Sequence, residues 1–344
     1  MVQFFFHSTI ILFILSTTIF SNSLLFADET TPKPKEKVEL LVKYKPNSIS
    51  NFIYIDSTTE IRTFEDGSTK TYDYFLKYWI TVNFAGKVEK GFSYVNWVID
   101  SLDLTVNENN KQKVRYNTMD SFRELMAQKD GKNISGTTTT IKSEELNYAI
   151  SCTNRDFQVL VSPYGEVAKF ESEQFDELKR YIVEEGKDYM DPISKFYWLD
   201  GISDNQLRYV SDIHKGLIPG ATINPDSMWS RPYFSRIGMI DVSSDSSKIA
   251  LSLNNNPYFE IKAEIDTLRP MLPIQKPFFG IPYFVTVDSG LGSAQYSVSF
   301  LSSGIIRSAE CLQKAKFYST LKNEKFIHSF TSKQLWLLQK QRQR

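Results

Sequence analysis

Two runs of alternating β-branched and aromatic residues flank an Asp66-Gly67 pair, and no other feature constrains the fold as strongly. Residues 51–64 read Asn-Phe-Ile-Tyr-Ile-Asp-Ser-Thr-Thr-Glu-Ile-Arg-Thr-Phe, and residues 71–84 lead away from the turn in the same style. A period of two places every second side chain on one face of a strand, and Asp-Gly between two such runs is a strong hairpin signal. A third run, residues 92–106, carries Phe92, Tyr94, Trp97, Ile99, Leu102, Leu104 and Val106. Its alternation slips at Asn96-Trp97, which predicts a bulge. The first part of the chain is therefore an antiparallel meander, entered by a short strand at residues 38–44.

The next organising stretch is 154–183, read as a strand, a turn at Pro163-Tyr164-Gly165, a returning strand and a helix. Apolar residues at helical spacing predict helices over 120–129, 172–184, 192–199 and 204–215, with Asp120 or Ser121 capping the first and Gly131 ending it. Residues 146–152 and 157–161 read as strands. The segment 216–229 is dense in turn residues and marks a boundary. Beyond it, strands are predicted at 233–242, 248–253, 258–265, 283–287 and 295–300, with the proline-containing stretch 269–282 as a loop. Residues 305–321 and 325–338 form a last hairpin around Lys322-Asn323-Glu324. Aligning Gly165 with Gly304 sets Val159 on Val298, Val161 on Phe300, Val167 on Ile306 and Glu171 on Glu310. The expectation is an α+β fold of two related antiparallel β-rich halves, residues 38–216 and 217–344, with the intervening helices packed on the sheets. In it, Gly165 and Gly304 occupy equivalent turns.

Residues 4–20 are almost all apolar or small hydroxyl residues, and Leu25-Phe26-Ala27 precedes Asp28. This predicts a signal peptide over 1–27 cleaved between Ala27 and Asp28. The leader has no Lys or Arg, so an uncleaved anchor is the competing reading. Residues 28–37 are charged and proline-containing, a solvated linker. Export places the two cysteines, Cys152 and Cys311, where one disulfide is permitted; two buried thiols is the other reading. No stretch of the mature chain is long and apolar enough to span a membrane as a helix.

Chemistry is sparse. Lys+Arg and Asp+Glu both total 40, so the balanced charge lacks the basic footprint of a nucleic-acid binder. The three histidines are His7, His214 and His328, too few for a multi-histidine metal site. His214 sits at a predicted helix end, where a cation suits the dipole; His328 lies in a strand. Nucleophile elbow, phosphate loop, dinucleotide fingerprint and paired metal-ligand cysteines are all missing, and no cofactor is implied. Asp226 beside Trp229, and Glu166 at the hairpin, are the carboxylates best placed for a sugar hydrolase. A capping Asp and a packing Trp explain them more simply, as core packing does for Trp79, Trp97, Trp198 and Trp336. Asn133-Ile134-Ser135 matches a glycosylation acceptor, a tripeptide common by chance.

The order of these landmarks resembles an uncharacterised family of bacterial exported proteins, a domain of unknown function. The landmarks are the meander 72–106, Tyr116-Asn117-Thr118-Met119-Asp120, the hairpin 157–167, the segment from Leu217-Ile218-Pro219 to Asp226-Ser227-Met228-Trp229, and the Gly304 hairpin. Pro225 stands where that family favours Gly. The resemblance implies an exported protein, periplasmic or extracellular, and brings no catalytic residue with it. The leading expectation is a non-enzymatic binding or envelope-associated structural protein, with an apolar ligand or an envelope protein as partner. A periplasmic carrier of a lipid or other apolar ligand comes next, then a carboxylate-dependent carbohydrate-active hydrolase.

Overall fold

The computed structural model describes residues 37–42, 44, 48–130, 150–184, 192–224, 227–253, 258–271, 274–277, 284–301, 306–321 and 323–343. Ala27, Asp28, Asn133, Asp226 and Gly304 lie outside them. Residues Glu36–Arg344 form one compact unit.

The opening hairpin forms as its sequence demands. Strand β1 (Ser48–Phe64) and β2 (Thr69–Lys87) pair antiparallel through Gly67, whose φ of 79° suits glycine. β3 (Ser93–Glu108) follows on β2. Its slip falls at Asp100 rather than at Asn96-Trp97: Trp79 pairs with Ser101 and Ile80 with Ile99, so Asp100 is the extra residue. The buried positions accordingly switch from odd (Val95, Trp97, Ile99) to even (Leu102, Leu104, Val106). β4 (Lys111–Asn117) turns back on β3, and α1 (Thr118–Lys129) is capped by Asn117, whose Oδ1 accepts from the Met119 and Asp120 amides. β5 (Asp156–Val161), β6 (Val167–Glu171), α2 (Glu173–Glu184), α3 (Pro192–Gly201) and α4 (Asp204–Ser211) complete this part.

The later strands are β7 (Met228–Ile237), β8 (Ile240–Leu253), β9 (Tyr258–Pro270), β10 (Ile274–Pro277), β11 (Phe284–Leu301), β12 (Ile306–Leu321) and β13 (Glu324–Gln343). All the strands belong to one sheet, ordered β6-β5-β3-β2-β1-β13-β12-β11-β9-β8-β7, with β4 added to β3 and β10 to β11. The first and last strands pair along their whole length, Tyr54 opposite Trp336 and Arg62 opposite His328. The α+β expectation is therefore corrected: this is a β-rich fold dominated by one large antiparallel sheet, and the short helices are additions to it. The last two strands are 16 and 20 residues long, longer than an average strand. The loop expected over 269–282 contains the end of β9 and all of β10.

The later half of the sheet rolls over. Four strands separate β7 from β13 in the sheet order, yet the Arg236 carbonyl accepts from Gln334 Nε2 at 2.9 Å and from Gln313 Nε2 at 3.0 Å. The Tyr233 hydroxyl lies 3.2 Å from Cys311 Sγ. Glycines permit the bend. β11 runs unbroken through Gly290 and Gly292 where two strands with a gap were expected, and a Cβ on Gly292 would sit 2.6 Å from the Lys314 carbonyl oxygen. The enclosed face is aromatic, with Trp336 against Tyr54 (4.9 Å), Tyr209 (5.8 Å) and Tyr296 (6.1 Å).

Candidate functional site

Two polar clusters and one cavity lie inside the roll. The first cluster joins β1 to β13. Arg62 Nε donates to Glu60 Oε1 at 2.5 Å, and His328 Nδ1 meets the same oxygen; the Arg62 and His328 side chains are wholly buried. Burial alone would raise the Glu60 carboxyl, but Arg62 and then His328 outweigh it and hold it down at about 2. The group resembles an acid–base set in composition. Its charges face one another in the core rather than an open cleft, so it reads as a structural pin.

The second cluster ties the rolled half to the helices. Arg236, on β7, donates to Asp200 Oδ1 at the end of α3 (2.5 Å) and from Nε to the Gly238 carbonyl (3.2 Å). Nearby, Asp56 accepts from Thr58 (2.7 Å) and Gln334 (3.1 Å), while burial pushes its carboxyl up to about 6 against those hydrogen bonds. Lys215 is buried over the Tyr209 ring at 3.4 Å, donates to the Tyr209 carbonyl, and burial brings its ammonium down to about 8.

The cavity lies where the sheet's first, second and third strands meet the loop after α4. β1 supplies Ser48, Ser50 and Phe52, β2 supplies Val82 and Phe84, and β3 supplies Trp97. The loop adds Ile213 and His214, and Val42 and Tyr44 form one wall. Its volume is about 40 Å³: room for a few waters, far below the ~300 Å³ of a site for a drug-sized ligand.

Two residues of this lining, Trp97 and His214, each carry a buried nitrogen, Nε1 and Nε2, with no hydrogen-bond partner among the described residues. Leaving such a group unsatisfied costs roughly 1–3 kcal/mol, so two on one small cavity single it out. His214 is not the helix-end cation expected from sequence. Burial, with Lys215 adding to it, drives its imidazole down to about 3, so the ring is neutral and offers one donor and one acceptor nitrogen. It stacks on Phe300 at 6.0 Å between ring centres.

The wall formed by residues 37–44 is held differently from everything around it. Sequence predicts a strand there. Among the described residues there is one isolated bridge, Val38 with Ile223 (2.8 and 2.9 Å), and a single further backbone bond from the Val42 amide to the Pro163 carbonyl (2.8 Å). Leu40 is buried and Val42 half-buried. An apolar arm with so few backbone bonds belongs to the least stable part of a fold.

Gly165 does occupy a tight turn, at φ 82°, and it touches the cavity from behind: a Cβ there would lie 2.5 Å from both Cβ and Cγ of His214. Cys152 and Cys311 are free and buried, which corrects the disulfide reading. Glu166 is exposed. Trp229 is half-buried and donates to the Leu217 carbonyl at 2.8 Å. Trp97, Trp198 and Trp336 are core residues, whereas Trp79 lies on the outer sheet face under the Lys77 ammonium at 4.1 Å. The pair Trp97–His214 escaped sequence reading because nothing in the chain marks two distant residues as neighbours. The sole available signal was a histidine followed by Lys-Gly.

The cavity also sets a pH response. His214 is held neutral, so its contribution is complete above about pH 6.5 and is lost as pH falls toward about 3. Glu60 acts likewise from about pH 4.5 down to about 2. Asp56 opposes them, favouring the folded state increasingly as pH drops from about 6 to 3.8. Because His214 and Asp56 act oppositely between about pH 6 and 4.5, the difference between variants is the readout: the urea midpoint of His214→Gln, relative to the wild type, should rise as pH falls from 6.5 to 4.5, and an unchanged difference would contradict the assignment.

No family model matches the chain, and no curated protein matches it. Among solved structures it is similar to one titled "Lipid-protein interactions in lipovitellin", with a TM-score of 0.43 and 8% identity over 88% of this chain and 26% of that one. The chain therefore spans about a quarter of that protein's length. Among the described residues, no group of His, Cys, Asp and Glu is placed to hold a metal ion, and no helix is long and apolar enough to cross a membrane.

Proposed function

We propose that this is an exported, non-enzymatic binding protein, and that its ligand has an apolar body and a small hydrogen-bonding head. The observation that carries the reading is that Trp97 and His214, whose Nε1 and Nε2 lack a protein partner, line one cavity whose other walls are mainly apolar (Phe52, Val82, Phe84, Ile213), with Ser48, Ser50, Ser211 and Gln341 as further polar side chains. An indole N–H and a neutral imidazole suit a hydroxyl, an amide or a protonated carboxyl better than a full charge. With the arm in place the cavity is too small for such a ligand. Entry therefore requires the arm to leave, and Leu40, Val42 and Tyr44 are the side chains that the ligand's apolar body replaces.

The test is a titration with cis-parinaric acid, a fluorescent fatty acid. Saturable binding is expected in the wild type. Trp97→Phe keeps the apolar wall, removes the N–H and should weaken binding by about tenfold, the worth of one well-placed hydrogen bond. Saturable binding unaffected by Trp97→Phe places the ligand elsewhere, and no saturable binding removes this class of ligand.

A further inference from the structure

The outer face of the sheet carries a second feature, separate from the cavity. Outward positions alternate with buried ones along β12 and β13. Those of β12 include Leu312, Lys314, Lys316 and Tyr318, and those of β13 include Lys325, Ile327, Lys333, Leu335 and Leu337. Cross-strand pairing makes them neighbours: Leu312 faces Lys333, Tyr318 faces Ile327, and Leu291 of β11 faces Lys316. Leu291 is 60% exposed, Tyr318 47% and Leu312 42%. Isolated exposed apolar residues are ordinary. Here they are interleaved with cations on adjacent strands.

The charge on this face is one-sided although the whole chain balances at 40 against 40. Along the outward positions of β12 and β13 the one carboxylate is Glu310, which pairs with Lys333 at 2.9 Å. Lys314 and Lys316 have no carboxylate partner among the described residues, and Lys316 lies 5.9 Å from the Tyr318 ring. Arg269 joins Leu291, Lys316 and Tyr318 around one shallow groove. Carboxylates return at the margins: Asp288, which accepts from Thr320 (2.6 Å), and on β9 Glu264 and Asp266, which line a groove shared with Lys314 and Lys333, Asp266 being paired with Lys248 (2.8 Å).

We propose that the outer face of β11, β12 and β13 docks on an anionic phospholipid surface. Lysines whose stems lie along apolar neighbours, with an aromatic ring among them, match the boundary between headgroups and acyl chains. Each lysine near such a surface strengthens binding by roughly fivefold. Leu291, Leu312 and Tyr318 enter the headgroup layer while Lys314, Lys316, Lys333 and Arg269 meet the phosphates.

Vesicle co-sedimentation tests this with vesicles of phosphatidylglycerol mixed with phosphatidylcholine, against phosphatidylcholine alone. The apolar residues 4–20, where retained, are common to all variants, so differences between variants are the readout. The wild type should prefer anionic vesicles by about tenfold or more and lose that preference at high salt. Lys314→Glu with Lys316→Glu should abolish the preference, and Leu291→Ser with Leu312→Ser should weaken binding to anionic vesicles with an unchanged melting temperature. Equal partition to both vesicle types, or a preference that survives the lysine reversals, overturns the proposal. So does loss of a protein partner on lysine reversal without any vesicle binding.

Discussion

Gly165→Ala is expected to destabilise the fold by about 3 kcal/mol, an unusual loss for the addition of one methyl group. Two effects combine. The φ of 82° is costly for any residue with a Cβ, by roughly 1–2 kcal/mol. The new methyl would also lie 2.5 Å from His214 Cβ and Cγ, and relieving such overpacking costs roughly 1–3 kcal/mol. His214 cannot retreat easily, since Phe300 stacks on it and it is buried. Gly67 supplies the control. Its φ is 79°, but a Cβ there meets nothing within 4 Å, so Gly67→Ala should show the backbone effect alone. Thermal unfolding of the two variants separates the terms. Equal losses would mean that Gly165 does not press on the histidine.

Arg236→Met is expected to be worse, about 3–5 kcal/mol, which is the usual cost of stranding one partner of a buried ion pair. The side chains of Arg236 and Asp200 are 2% and 12% exposed, so the carboxylate left behind would have little water to turn to. The pair also anchors the last turn of α3 to the rolled edge strand, whose Arg236 carbonyl already accepts from Gln313 and Gln334. Removing both charges, Arg236→Met with Asp200→Leu, should recover most of the loss, because two apolar residues of similar volume leave no charge unpaired. If the double variant is as unstable as the single one, the pair is not the source of the effect.

The strands were legible in the sequence because alternation is a local signal. Residues 51–64 and 71–84 fold as the hairpin they predict, and the last two strands, β12 and β13, pair antiparallel as expected. What alternation could not give is which strands pair across long distances. Nothing in residues 48–64 or 324–343 announces that they are partners, yet that pairing turns two halves into one sheet. The glycines of β11 read as interruptions, since a local reading cannot distinguish a break from a bend whose missing side chains admit the neighbouring strand. Gly165 was recognisable as a turn residue; its second role depends on His214, 49 positions later in the numbering. The arm was misread as a strand because Val38, Leu40 and Val42 alternate as a strand would. Its weak attachment is a fact of pairing rather than of composition.

If Leu40, Val42 and Tyr44 cover a ligand site, ligand enters only when the arm leaves. Val38 and Ile223 exchange both backbone hydrogen bonds (2.8 and 2.9 Å), an arrangement that sets their Cα atoms about 5.5 Å apart and within reach of a disulfide. In Val38→Cys with Ile223→Cys, oxidation should pin the arm and reduction should free it. The measurement is cis-parinaric acid binding to this variant before and after reduction, with the wild type as control. The oxidised form should bind at least about tenfold more weakly, and reduction should restore wild-type affinity. Equal affinity in both forms would mean that the arm need not leave.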